Sequence, residues 1–189
     1  YFSEGDWTWP EMKNPDLKKA QLKELVTQYG PIEFFWMDHA QTDGGLSHAE
    51  TVAWVQQFQP NCFVGFNHGE PAGEIRLGEL GKPGPLEDDS VAPYLDKRGK
   101  GFPYLVGELT FPILDKGGRW FYTKPEWDDC VMPAEKIAET YREAVRYGNL
   151  FSIDVGPNRD GRLREIDEKT LLRVGELIRA GAESAAPAR

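Results

Sequence analysis

Two periodicities alternate along this chain, and the switches between them mark its elements. Leu17, Ala20, Leu22, Leu25, Val26 and Tyr29 recur at three- and four-residue spacing, the stripe of an amphipathic helix. Asn14-Pro15 offers its N-cap and first-turn proline, and Gly30 its stop. Ser47-His48-Ala49-Glu50 has the spacing of a capping box, opening a second helix that runs to about Phe58 before Pro60. Met132-Pro133 opens a third, with Ile137, Tyr141, Ala144 and Val145 on one face and Gly148 as its end. Asp167 is the expected cap of a fourth, which carries Leu171, Val174 and Ile178 and stops at Gly181. Residues 182–189 then read as a flexible tail to a single domain over 1–181.

Short apolar runs fall between these helices. Ile32–Met37, Cys62–Phe66, roughly Tyr104–Leu109 and Asn149–Val155 are too short for buried helices and rich in strand formers. Tyr1-Phe2-Ser3 reads as the end of a fifth strand. Strands alternating with helices imply an α/β fold with a parallel sheet and right-handed crossovers. Residues 69–101 break the rhythm: the segment is dense in Gly, Pro and Asp, and too long for an idle loop in a compact domain. Four helices and four or five strands amount to half to two-thirds of an eight-unit barrel, which usually needs about 250 residues. The expected fold is therefore a partial, truncated TIM-type (β/α) barrel.

The strand Ile32–Met37 ends in a carboxylate, Asp38, after a Gly30-Pro31 break. Barrels and doubly wound sheets place their chemistry at the carboxyl ends of their strands. A cap on the following loop is the plainer role for such a residue. Acid/base work on a glycosidic bond needs a second carboxylate from another strand end. Glu79, flanked by Gly78 and Gly81 with Leu77 and Leu80 nearby, is one candidate, and Glu108 is the other. Apolar neighbours would raise a carboxyl pKa as a general acid requires.

Other chemistry finds little support. His39, His48 and His68 have no metal-motif spacing, so no metal and no cofactor are expected. No Gly-x-Ser-x-Gly elbow is present, and Gly156 to Gly161 lacks the phosphate-loop patterns and reads as a strand-exit turn. Cys62 and Cys130 are far apart and read as free buried thiols. A net charge of −9 disfavours nucleic acid and anionic membranes, and no run of eighteen apolar residues spans a bilayer. No signal segment is visible at Tyr1, which leaves the compartment open.

The motifs together resemble the α-L-fucosidases of glycoside hydrolase family 29. Tyr1-Phe2-Ser3 with Asp6-Trp7 is similar to the family's Tyr-Tyr-Ser strand end. Gly30-Pro31-Ile32 through Trp36-Met37-Asp38 is similar to its Gly-Pro-Ile-Asp-x-x-Trp-x-Asp, and Gly148 to Pro157 with Asp160-Gly161 to a second signature. His39 stands where the family often has glycine. The resemblance runs from about Tyr1 to Gly181 and lacks the family's amino-terminal part. It implies a retaining glycosidase acting on fucosylated oligosaccharides, with Asp38 as nucleophile. Glu79 is the preferred acid/base and Glu108 its rival; Trp36, Glu108, Trp120 and Tyr122 would line the sugar site. The alternative is an inactive relic or sugar-binding fragment. A part-barrel would leave apolar surface open, so a homo-oligomer covering it is expected.

Overall fold

The computed structural model describes residues 1–3, 13–40, 44–68, 74–87, 91, 105–115, 120–122 and 124–185, the side chains of 182–185 excepted. The Asp6-Trp7 motif, Tyr104, Gly118-Arg119 and most of 88–104 lie outside them. In chain order the elements are β1 (Phe2–Ser3), α1 (Pro15–Gln28), β2 (Phe34–Asp38), α2 (His48–Gln56), β3 (Phe63–Phe66), β4 (Ile75–Glu79), β5 (Val106–Pro112), α3 (Ala134–Arg146), β6 (Leu150–Asp154) and α4 (Glu165–Ala185). The 3₁₀ turn Pro125–Trp127 lies between β5 and α3.

The local signals act as their chemistry predicts. Asn14 accepts from the backbone N–H groups of Asp16 and Leu17, and Pro15 occupies the first turn of α1. At α2 both halves of the capping box form, Ser47 Oγ accepting from Glu50 N–H while the Glu50 carboxylate accepts from Ser47 N–H. Gly148 follows α3 at φ +71°, a conformation that glycine takes without a Cβ penalty.

Several expectations need correction. Tyr29 lies beyond α1 and is largely exposed; the stripe ends at Val26. Val145 is exposed, because Ala134, Ile137, Ala138 and Ala144 form the buried face of α3. α2 ends at Gln56, two residues early. Asp167 sits inside the first turn of α4 and pairs with Arg164. α4 also runs through Gly181 to Ala185. Arg142 of α3 lies over Gly181 and donates to Leu177 O at 2.8 Å, so the missing side chain makes room for a packing contact instead of ending the helix. Both cysteines are free, but only Cys62 is buried; Cys130 is half-buried.

The main correction is β4. It lies within the segment that the sequence marks as a long loop, and four of its five residues are buried. Its outer face is covered by the chain that follows it. A Cβ on Gly78 would lie 2.0 Å from Val91 O, and Arg76 donates to Leu86 O. Only glycine at 78 lets that backbone lie flat on the strand.

β1-β2-β3 and β4-β5-β6 form parallel ladders, with Ser3 beside Asp38, Met37 beside Phe66, Glu79 beside Thr110 and Pro112 beside Asp154. Glu74 stitches the two together: its N–H donates to Val64 O at 2.9 Å and its carboxylate accepts from Gln56 and Val64 N–H. Strand order therefore follows chain order, the succession of neighbours that a (β/α) barrel uses. Phe35, Met37, Val64 and Phe66 pack against Leu22 and Val26 of α1 and Val55 of α2. Leu109 packs with Ala144, while Phe151 and Ile153 join the cluster of α3 and α4. Strand side chains alternate between faces. Trp36, Asp38, Leu77, Glu79, Glu108, Thr110, Ser152 and Asp154 therefore share the face away from the helices.

Candidate active site

Four consecutive strands build the centre of this inner face. β1 carries Tyr1 at its start, β2 ends on Asp38, β3 is followed by Asn67 and His68, and β4 ends on Glu79. The chain turns sharply after three of them. His39, His68 and Leu80 hold φ of +53°, +59° and +53°, left-handed conformations that side chains rarely adopt. Such backbone costs on the order of 1–3 kcal/mol per residue and clusters where a site must be held in place.

Asp38 is held from three sides. Tyr1 Oη donates to Oδ2 at 2.6 Å, Asn67 Nδ2 donates to Oδ1 at 2.9 Å, and His39 Nδ1 lies 3.4 Å from Oδ2. Burial acts to raise its pKa, but the hydrogen bonds from Tyr1, Asn67 and the His39 backbone outweigh it and hold the carboxyl below the usual range. The Tyr1 hydroxyl shifts the other way, raised by burial and by its bond to Asp38, so it remains a donor. Glu79 Oε2 accepts from the same Asn67 nitrogen at 2.7 Å and lies 3.0 Å from His68 Nε2. Oxygens of Asp38 and Glu79 stand within 4.8 Å of each other.

Asp38, His68 and Glu79 together have donor atoms within 4.8 Å of one another, close enough for a cation to be considered. Asn67 Nδ2 also lies within hydrogen-bond distance of both carboxylates, which ties Asp38 and Glu79 into one hydrogen-bonded acid pair.

Beneath Asp38, Trp36 stacks on Tyr1 with ring centres 5.8 Å apart and planes 19° from parallel. Its Nε1 donates to Glu108 Oε2 at 3.1 Å. Glu108 is fully buried, and among the described residues its Oε1 has no hydrogen-bond partner. Burial pushes its carboxyl above the usual range, with nearby donors opposing only part of that. Asp154, at the end of β6, is also raised by burial, and its Oδ2 is likewise unpartnered.

A raised carboxyl gives a stability prediction. Between the ordinary glutamate pKa and the folded-state value, the native state binds more protons than the unfolded chain, so stability falls as pH rises through that window. Glu108→Gln removes the ionisation while keeping an acceptor for Trp36. Its melting temperature relative to the parent should therefore climb between about pH 4 and pH 8. Thermal unfolding at both pH values checks this, and a pH-independent difference contradicts it.

The predicted sugar-lining residues divide into two groups. Trp36 and Glu108 join the Asp38 network. Trp120 and Tyr122 flank a segment whose backbone packs on Gly156, just beyond β6. The Tyr122 hydroxyl donates to Asp128, and its ring lies 5.3 Å from the Arg164 guanidinium. These contacts face a cleft of about 550 Å³ at the start of α4, lined also by Asn158 and Leu163. Asn67 was the residue that sequence reasoning missed. A lone asparagine after a strand carries no spacing signal; its position opposite two acids emerges only from the ladder.

Two carboxylates face each other from the ends of β2 and β4, with β3 between those strands and an indole beneath them. That layout places an acid pair at the strand ends of a parallel α/β sheet. The family model described as Alpha-L-fucosidase matches residues 11–183. The chain belongs to that family. It is 25% identical over 172 residues to Alpha-L-fucosidase 1 of Arabidopsis thaliana, covering 84% of this chain and 33% of that protein. Alpha-L-fucosidase isoenzyme 1 from Paenibacillus thiaminolyticus superimposes with a TM-score of 0.72 at 22% identity, over 100% of this chain and 51% of the other. Alpha-L-fucosidase AlfC from Lactobacillus casei, solved in complex with its α-L-fucose product, gives 0.60 at 21% identity, covering 87% and 45%. At these identities the structural matches speak for fold, and the chain spans a third to a half of the proteins it matches.

Proposed function

We propose that this chain carries the catalytic pair of a retaining α-L-fucosidase, with Asp38 as nucleophile and Glu79 as acid/base. The observation that carries this reading is the approach of the two carboxylates to within 4.8 Å, both held by one amide. Retaining glycosidases hold their carboxyl groups only about 5–5.5 Å apart, whereas inverting ones leave room for a water at about 6.5–9.5 Å. Glu108 is less suited to protonating a leaving group. It is sealed beneath Trp36, one pleat below the strand ends.

In the first step an ionised Asp38 oxygen attacks the anomeric carbon. The glycosidic C–O bond breaks, its electron pair goes to the leaving oxygen, and protonated Glu79 supplies the proton. In the second step Glu79, now the base, takes a proton from water as that water displaces Asp38. Tyr1 and Asn67 hold the attacking carboxylate ionised, and Trp36 offers its free face to the sugar. The described strands and helices read as part of a (β/α) barrel.

The test is hydrolysis of a chromogenic α-L-fucoside by this chain, with Asp38→Ala as control. No turnover by a folded chain would favour the second reading, an inactive relic or sugar-binding fragment.

We also infer that copies of the chain associate. Among the described residues β1 and β6 are the outer strands of the sheet order, and edge strands that stay uncovered invite pairing. Leu150 on β6 is partly exposed beside that edge. Sedimentation at micromolar concentration should show a dimer or larger assembly. A stable monomer across that range removes this inference.

A further inference from the structure

We propose that Asn67 is the positioning residue of the acid pair: its one amide nitrogen, donating to both carboxylates, fixes their separation and keeps the nucleophile ready. This rests on the catalytic reading above.

The side chain is almost completely buried, so its amide cannot turn to water. Two acceptors lie within hydrogen-bond distance of a single terminal atom, Asp38 Oδ1 at 2.9 Å and Glu79 Oε2 at 2.7 Å. An amide oxygen there would oppose two carboxylate oxygens. The nitrogen must therefore face them, and each of its two hydrogens serves one acid. The backbone of Asn67 is fixed as firmly as its side chain. Its N–H donates to Met37 O at 2.7 Å, and its carbonyl accepts from Ala40 N–H at 3.0 Å. These two bonds clasp β2 on either side of Asp38 and His39. The left-handed residues His39 and His68 then turn both chains away from the clasp. The amide thus reaches both acids from a backbone with little freedom to move, and small errors in such geometry cost about a hundredfold in rate.

The clasp has a signature that packing alone would not produce. Asp38 must be ionised to attack, and Asn67 supplies one of the bonds that favour the ionised form. Among the described residues, Tyr1, His39, His68 and Glu79 are the other titratable groups around it, and Glu108 lies beyond Trp36. Removing the amide leaves all of these in place. Asn67→Ala should lower kcat by about a hundredfold with KM changed by less than about threefold, since the lost interaction aligns reacting groups and does not hold the sugar. The acid limb of the kcat/KM profile should move to higher pH. Asn67→Ser retains one short donor and should fall between parent and alanine variant, which keeps the test available if the alanine variant folds poorly.

A second readout needs no turnover. Titration of the Asp38 side-chain carboxyl by ¹³C NMR should show its midpoint rising in both variants, more in Asn67→Ala than in Asn67→Ser. Unchanged midpoints, or a kcat loss with the acid limb unmoved, overturn the assignment. If the parent chain hydrolyses no fucoside, the catalytic reading fails. The NMR midpoints then decide independently whether Asn67 governs Asp38.

Discussion

Asp38→Gly should lower fucoside hydrolysis by several orders of magnitude, and added azide should restore part of it. The expectation follows from the role proposed for Asp38, a carboxylate that would form the covalent bond in the first step; without it the remaining groups would provide only binding and a proton. Glycine leaves space at the end of β2, where Asn67 and Tyr1 still present donors to an anion. A small nucleophile can occupy that space, attack the same face of the anomeric carbon and release a fucosyl azide. Its anomeric configuration is informative. Attack by azide in place of Asp38 gives the inverted, β-configured product, because only one displacement occurs. Near-parental activity in Asp38→Gly would remove the nucleophile assignment. Lost activity without azide rescue, in a chain that still folds, would indicate that Asp38 organises the site and does not attack.

How far this site could be read from residues alone depended on whether the information was local. Asn14-Pro15 and Ser47 to Glu50 satisfy backbone groups within a few residues of themselves, and both caps form as their spacing predicts. Asp38 was legible because a short apolar run ending in a carboxylate is a local pattern with a positional meaning in parallel sheets. β4 was not legible. Ile75 to Glu79 places Arg76 and Gly78 where a buried strand usually carries β-branched residues, because following backbone, not a helix, lies against that face. Asn67 was harder still. Its function depends on residues 29 positions before it and 12 after it, which only the sheet brings together. Glu108 illustrates the converse. It is near the site, as the resemblance implied, yet the pleat turns it beneath Trp36, a distinction that sequence distance from Asp38 cannot carry.

The largest effect on stability is expected away from the acids, at Asp167. Arg164 uses all five of its N–H donors. Nε and Nη2 reach Asp167 at 2.7 and 2.5 Å, Nη1 reaches Trp127 O and Asp128 O, and Nη2 also reaches Cys130 O at 2.9 Å. Both side chains are buried, at 7% and 0% exposure, so neither charge has water in reserve. The pair joins the first turn of α4 to the 3₁₀ turn Pro125–Trp127 and to the loop before α3. Asp167→Ala would leave a guanidinium buried against carbonyls with no counter-charge, a change that typically costs about 3–5 kcal/mol. For a chain of this length that lowers the melting temperature by roughly 6–20 °C. Asp167→Asn keeps one acceptor and should lose less. Replacing both partners, as Arg164→Met with Asp167→Leu, should recover part of the loss, because no charge is then stranded. Recovery should be incomplete, since the carbonyls of Trp127, Asp128 and Cys130 lose their donors. Thermal unfolding of the three variants beside the parent gives the ranking. If Asp167→Ala melts within a few degrees of the parent, α4 is anchored by Val174 and its apolar neighbours, and the ion pair only sets the path of the loop that carries Tyr122.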